Sequence, residues 1–179
     1  MKSVDPAKAY RLFYPAVPAI LACSDRSLVY AMPVVSVIPL SNIPPLVGVA
    51  SSPQHSTHQA IVKVGRFSLC WVDASLVRAL EVLGTTPHTA ADKLRAAGLE
   101  HHPGRTLDVP IVEGVVATAE CSLYARQAFG DHELLVGKVQ DARAAEDFQD
   151  YWRFQSYKPV LYAGIQEGAF KTFQPRAGE

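Results

Sequence analysis

Small hydrogen-bond donors crowd the segment SSPQHSTHQAIVKVG, which runs from residue 51 to residue 65. Four of its side chains carry hydroxyls and two carry imidazoles. The apolar residues Ala60, Ile61 and Val64 have helical spacing, and Gly65 can cap the end of the helix that they predict. Free N–H groups and the backbone dipole make a helix N-terminus attractive to anions. The donors are therefore typical of either an ordinary helix cap or an anion-binding site.

Lys93, in DKL, and His132, in GDH, are two further side chains that can take part in chemistry. By themselves they are typical of a solvated helix lysine and a turn histidine. His55 and His58 have an HxxH spacing, but without cysteine or acidic partners nearby the pattern disfavours zinc. The sequence thus predicts no metal centre.

The three cysteines, Cys23, Cys70 and Cys121, are odd in number and have no CxxC spacing. Each lies in an apolar, strand-like run, which is typical of a buried free thiol rather than of a metal or redox site. Because free thiols persist in a reducing compartment, the sequence favours a cytoplasmic protein.

Length and charge restrict the possible functions. The chain has 179 residues, enough for one domain with a sizeable core, and its 17 basic and 17 acidic residues leave no net charge. A neutral chain is not typical of a general nucleic-acid or membrane-surface binder. No apolar run approaches the roughly 18 residues of a membrane span. The first residues, MKSVDPAKAYRLFYPAVPAILAC, have no small-residue cleavage pattern, so we interpret them as a mature start.

Strand-like segments dominate the chain and must position these side chains. Pro33 and Pro39 interrupt one of them, which predicts a sheet edge, a bulge or a strand end there. Gly130 and Asp131 form a turn signal between two long strands. Because the strands follow one another too closely for repeated crossover helices, the sequence predicts a mainly antiparallel, β-rich α+β domain. The predicted strands are residues 17–24, 28–40, 46–51, 66–73, 111–126, 132–144 and 158–164, and the predicted helices are residues 58–64, 75–84 and 89–98.

Seven stretches, in order, resemble the flavin reductase-like family of FMN-binding split barrels, in particular its flavoredoxin and ferric-reductase branch. They are YAMPVVSVIPLSNIPPLVGVAS, STHQAI, GRFSLCWV, DKLRAAGL, VPIVEGVVATAEC, GDHELLVGKV and KPVLYAG, within residues 16–164. The resemblance implies a single domain over residues 1–179, built as a six-stranded antiparallel Greek-key split β-barrel with inserted helices. It also implies a homodimer with FMN near the subunit interface.

For the hydroxyl-rich segment, the resemblance implies a site for the FMN phosphate. Thr57 matches the family's phosphate-binding threonine, and Ser56 adds a second hydroxyl at the helix start. Ser51 and Ser52 are expected to approach from the end of the preceding strand, with His55 beside them. Such a site needs no cluster of arginines, which agrees with the neutral composition.

The segment YAMPV matches the part of the family whose backbone passes beside the isoalloxazine ring. A flat ring needs small residues beneath it and backbone hydrogen bonds at its edge. Pro33 has no N–H where the family often has threonine, so the edge contacts are expected to differ. Tyr30 replaces the usual asparagine, and Ser36 stands where tryptophan can occur. The expected ring contacts are Tyr30, Ala31, Met32, Pro33, Val34 and Ser36.

Lys93 and His132 gain catalytic and cofactor-binding roles from the resemblance. Lys93 matches a family lysine that reaches the flavin, where a cation stabilises the anionic reduced form. His132 matches a histidine near the flavin and the nicotinamide side of the pocket. There it can stack on the substrate, form a hydrogen bond or deliver a proton.

The implied function is that of an FMN-dependent oxidoreductase that passes reducing equivalents from NAD(P)H through bound flavin to free flavin, ferric complexes or another acceptor. FMN is the expected cofactor, with FAD the weaker candidate. No Gly-rich dinucleotide fingerprint is present, so a nicotinamide would stack in an open groove at the ring. The alternative is an FMN-binding electron carrier or flavin-storage protein that NAD(P)H does not reduce efficiently.

Overall fold

The computed structural model describes residues 1–86, 93–164 and 170–172, and its largest element is a seven-stranded antiparallel sheet. The strands of the described residues are β1 (Ala19–Asp25), β2 (Leu28–Val34), β3 (Val37–Asn42), β4 (Pro45–Ser51), β5 (Arg66–Trp71), β6 (His101–Pro103), β7 (Pro110–Val112), β8 (Ala117–Phe129), β9 (His132–Ala144), β10 (Val160–Tyr162) and β11 (Phe170–Thr172). The main sheet has the order β2-β1-β5-β8-β9-β4-β3, while β6 pairs with β7 and β10 with β11. The prediction of a β-rich, antiparallel domain is confirmed.

The predicted single strand 28–40 is wrong, because the chain breaks at residues 35–36 into β2 and β3. These two strands form the opposite edges of the sheet, and only two residues join them. The sheet must therefore curve so that its two edges come close together at residues 35–36. The Ser36 hydroxyl donates to the Ala50 carbonyl over 2.5 Å and ties this corner to β4. The break explains why the main sheet has seven strands where six were expected. Pro33 and Pro39 lie on the edge strands, as predicted, and the β3–β4 register shifts next to Pro39.

Three α-helices of the described part of the chain cover the sheet: α1 (Ser56–Val64), α2 (Val77–Thr85) and α3 (Lys93–Ala96). Ile61 of α1 is fully buried in the cluster that holds Phe67 and Leu69 of β5. On the other face of the sheet, Leu80 of α2 and Leu94 of α3 pack in a second buried cluster. None of the helices in the described part of the chain is long and apolar enough to cross a membrane.

The ends of the predicted elements mostly follow local signals. Gly65 ends α1 with a φ of 73°, and its N–H donates to the Ile61 carbonyl, as predicted. The predicted strand 111–126 is instead two strands, because the chain turns at Gly114, whose φ is 74°. The first four residues of the predicted helix 89–98 lie outside the described residues, and its described part contains α3. The sequence pattern did not predict the 3₁₀ helix Pro6–Phe13 before β1.

All three cysteines are free and buried, which confirms the prediction made from their spacing. Burial raises the pKa of Cys23 and of Cys121 to about 12, and that of Cys70 to about 11. Since the thiolate is the reactive form, these side chains act as core residues.

Gly137→Ala should destabilise the protein by roughly 1–3 kcal/mol, because the interior at β9 has no room for a methyl group. An added β carbon would lie 2.4 Å from Cζ of Phe67 and 3.0 Å from Cβ of Cys121. Both neighbours are fully buried, so neither can swing into solvent. Thermal unfolding measures the loss. Gly84→Ala in α2 is the control: its new β carbon meets Pro33 at an ordinary 3.6 Å, so equal destabilisation by both changes would contradict the packing argument.

Candidate functional site

A cavity of about 360 Å³ lies where α1 begins, between strand β2 and the end of α2. It brings together four separate parts of the chain: residues 32–33, 55–57, 83–86 and 93. Of the predicted site residues, six line it: Met32, Pro33, His55, Ser56, Thr57 and Lys93. No acidic side chain is among its described lining residues. The cavity therefore combines an apolar surface with hydrogen-bond donors and one cation.

The N-terminus of α1 forms one wall of this cavity. The cap position is His55, which has extended backbone and makes no side-chain cap hydrogen bond to the first turn. Ser56 and Thr57 are already the first two helical residues, so neither is the ordinary N-cap. The Thr57 residue is only 2% exposed. The positive end of the helix thus faces the cavity without a side-chain cap from His55. This arrangement favours the binding of an anion.

Lys93 is the cation of the cavity and is 9% exposed. Burial lowers the pKa of its ammonium below the ordinary 10.5. No carboxylate of the described residues lies within ion-pair distance of it. A buried charge without a partner destabilises the fold, and this penalty fades as pH rises from the lowered pKa towards 10.5. An anionic ligand in the cavity would supply a partner for this charge.

Several predicted contacts lie outside this cavity. Ser51 is buried, and its hydroxyl has no hydrogen-bond partner among the described residues. The Ser52 side chain instead accepts from the Gln54 N–H within the turn before α1. Ser36 is engaged with β4, as described above. Three members of the YAMPV segment pack into the two hydrophobic clusters rather than line the cavity: Tyr30, Ala31 and Val34.

His132 also lies outside this cavity, at the tip of the β8–β9 hairpin. Its side chain is half exposed, and its Nδ1 lies 2.8 Å from an Asp131 carboxylate oxygen. An ionised carboxylate only accepts, so Nδ1 carries the hydrogen. The next residue, Glu133, bonds Nε2 of the buried His58 at 2.8 Å and so ties the hairpin to α1. The hairpin tip is therefore anchored beside the helix that faces the cavity.

Four cavity residues were not predicted from the sequence: Leu83, Gly84, Thr85 and Thr86, at the end of α2. The apolar spacing of this helix indicated only a core role. The hydroxyls of the adjacent Thr85 and Thr86 both donate to carbonyls of the last helical turn. Two threonines after a helical glycine are the one local signal that could have marked this end of α2 as unusual.

A family model described as the flavin reductase like domain matches residues 10–165. The chain belongs to the flavin reductase-like family. An uncharacterized protein from Pyrococcus abyssi is 30% identical over 94% of this chain and 96% of its own length. A second uncharacterized relative, from Aeropyrum pernix, is 27% identical over 92% of this chain, which spans 63% of that relative's length.

Solved structures share the fold of this flavin reductase-like chain. An FMN-binding protein from Thermus thermophilus, with bound 1-cyclohex-2-enone, has a TM-score of 0.83 and 30% identity, with 98% of each chain covered. A flavoredoxin from Methanosarcina acetivorans has a TM-score of 0.83 at 20% identity, covering 100% of this chain and 94% of its own. An NADH:FAD oxidoreductase from Streptomyces globisporus C-1027 has a TM-score of 0.80 at 22% identity, covering 98% of both chains.

Proposed function

We propose that this protein binds FMN in the cavity at α1 and uses it to pass reducing equivalents from NAD(P)H to a small-molecule acceptor. The observation that carries the proposal is the convergence of an anion-seeking helix end, a buried ammonium and an apolar strand on one cavity. The FMN-binding protein from Thermus thermophilus, 30% identical over nearly the whole chain, supports the choice of FMN.

The residues present fit the chemical groups of FMN. The N-terminus of α1, with Ser56 and Thr57, would hold the phosphate. Met32, Pro33 and Leu83 offer an apolar surface of the kind that a flat ring needs. Lys93 would place a positive charge beside the ring. When the ring becomes anionic on reduction, its negative charge would balance that of the Lys93 ammonium.

When bound, FMN would supply the ring that accepts hydride, and the chain's residues would supply binding, orientation and charge. Lys93 would favour the extra negative charge that the ring gains on reduction. His132 keeps its Nδ1 hydrogen towards Asp131, so Nε2 is the nitrogen that can accept or, when protonated, donate a proton to a substrate. Cavity and hairpin together thus offer an anion site, a cation and a proton-transfer group.

The visible spectrum and an anaerobic reduction test this proposal. The purified protein, or the protein mixed with FMN, should show oxidised-flavin absorbance that NADH or NADPH bleaches rapidly. A colourless protein that does not bind added FMN would contradict the whole proposal. Bound FMN that neither nicotinamide reduces within minutes would favour the alternative, an electron carrier or storage protein.

We also infer a homodimer, which would complete the cover of the flavin. Apolar side chains of the edge strand β3 and the turn after it are exposed in the single chain: Ile38, Leu40 and Ile43. Such contiguous apolar surface is typical of an interface. Equilibrium sedimentation should therefore give twice the chain mass. A monomer with full FMN occupancy would be the contrary result.

Lys93→Met should stabilise the FMN-free protein while lowering the midpoint potential of bound FMN. Methionine removes a buried charge that has no ion-pair partner among the described residues, a gain of roughly 1 kcal/mol, or about 2–4 °C in Tm. It also removes the charge whose attraction grows as the ring becomes anionic. Thermal scans and a redox titration measure the two effects. Lys63→Met, at an exposed lysine paired with Asp25, is the control and should change neither quantity in this way.

In the parent protein, FMN affinity should decline as pH rises through the lowered pKa of Lys93, because the neutral amine loses its attraction for the anion. The Lys93→Met protein should lack that decline. If FMN affinity depended on pH identically in the two proteins, Lys93 would not be part of the flavin site.

A further inference from the structure

A second cavity, of about 800 Å³, lies at the end of the rolled sheet where Trp71 pairs with Ala117 and Ala117 with Ala144. It shares no lining residue with the cavity at α1. The far wall is a loop, residues 148–157, which we call the aromatic loop. Small-molecule sites commonly have volumes of roughly 300–1,000 Å³, so this cavity has the size of such a site.

The aromatic loop is held in place by two carboxylates. Asp147 accepts hydrogen bonds from the three consecutive backbone N–H groups of residues 155–157, the shortest of them 2.8 Å. These bonds, above all that from Tyr157, lower the pKa of Asp147. Asp73 in turn accepts from the Lys158 N–H at 2.8 Å. Asp147 thus ties the start of the loop to its end, and Asp73 holds the residue that follows it. These charge-assisted bonds make the loop a preformed wall, so the cavity exists before any ligand arrives.

Five of the described lining residues have aromatic side chains: Trp71, Phe148, Trp152, Phe154 and Tyr157. Trp71 lines the cavity from the sheet, and Trp152 and Tyr157 line it from the loop. The ring centroids of Trp152 and Tyr157 are 4.5 Å apart. Phe148 and Phe154 are 43% and 45% exposed, although both line the cavity. Large apolar side chains left exposed around a concave surface mark a place where another apolar group binds.

The charge of the cavity restricts what can bind. Among its described lining residues, only Arg143 is charged. Its guanidinium lies 3.7 Å from Glu120 and 3.3 Å from Asp141, so its charge is already balanced. Among the described lining residues, a phosphate or carboxylate would therefore meet no unbalanced cation. An uncharged ring compound loses little solvation on entry and gains stacking against the aromatic loop.

We propose that the cavity between Trp71, Ala142 and the aromatic loop is a second binding site, which takes a neutral, largely apolar ring compound. The inference is independent of the flavin proposal, because it rests on different residues. The ligand class follows from the aromatic walls and the balanced charge, and the size of the cavity admits a compound of one to three rings.

The two tryptophans of the chain, Trp71 and Trp152, both line this cavity, so intrinsic fluorescence reports on it directly. The probe is N-phenyl-1-naphthylamine, a neutral ring compound that absorbs where tryptophan emits. Titration should quench the tryptophan emission saturably, with one probe per chain. A calorimetric titration repeated with saturating FMN should give the same probe affinity. Displacement of the probe by FMN would overturn a separate site, and so would the absence of saturable quenching.

Ala142→Leu should weaken probe binding at least about tenfold, because the larger side chain fills space that the probe needs. Ala142 is exposed on β9, so the change should not disturb the core. Ala125→Leu, at an exposed alanine of β8 outside the cavity, is the matched control and should bind the probe normally. Equal binding by Ala142→Leu and the parent would overturn the proposal. It would also be overturned if diluting the dimer into monomers opened the cavity to the probe, since a second copy would then be the occupant.

Discussion

Replacing Ser56 and Thr57 together by alanine should weaken FMN binding by about a hundredfold or more and riboflavin binding much less. Hydrogen bonds to a charged group contribute roughly 1.5–3 kcal/mol each, and the phosphate dianion would lose two of them. Riboflavin has no phosphate, so its affinity should change only through indirect effects on the helix. Flavin fluorescence titrations with both ligands measure the difference.

Two controls separate phosphate binding from damage to α1. Thr57 is almost fully buried, so a second double variant, Ser56→Ala with Thr57→Val, keeps its volume while removing the hydroxyl. Ser75→Ala removes an exposed hydroxyl at the 3₁₀ turn before α2, away from the cavity, and should bind FMN normally. If both double variants lost FMN and riboflavin equally, the two hydroxyls would have a structural role only.

His132→Ala should leave FMN bound but slow its reduction by NAD(P)H by about a hundredfold, the usual contribution of a positioned proton-transfer group. The side chain is half exposed at a hairpin tip and makes its Nδ1 contact with a neighbouring aspartate, so its loss should not unfold the protein. Anaerobic stopped-flow bleaching of the flavin absorbance gives the rate.

His101→Ala is the control for this experiment, because His101 is an exposed histidine on β6, outside the α1 cavity. FMN bound to the His101→Ala protein should be reduced at the parent rate. An unchanged rate in His132→Ala would remove this histidine from the catalytic set, while leaving FMN binding at α1 intact. A loss of bound FMN would instead place His132 in the cofactor site, which the single chain does not show.

The sequence by itself predicted those features that depend on neighbouring residues. Alternating and apolar runs predicted an antiparallel, β-rich domain, and Gly65 predicted the end of α1. Pro33 and Pro39 predicted a sheet edge, a bulge or a strand end, because proline removes a donor that a central strand needs. The apolar surroundings of the three cysteines predicted burial. A cytoplasmic location, suggested by the same cysteines, stays a prediction.

Only the tertiary structure decided which segments meet. Hydrophobic periodicity records which face of an element is buried, but not which distant segment covers that face. The break at residues 35–36 depends on the roll of the whole sheet, and it turned one predicted strand into two opposite edges. The same roll brings Met32, Thr57 and Lys93 to one cavity and leaves Tyr30 and Ser51 outside it. The second cavity also depends on the tertiary structure, because Asp147 and Asp73 fix the aromatic loop over the end of the sheet. No local sequence pattern encodes that contact.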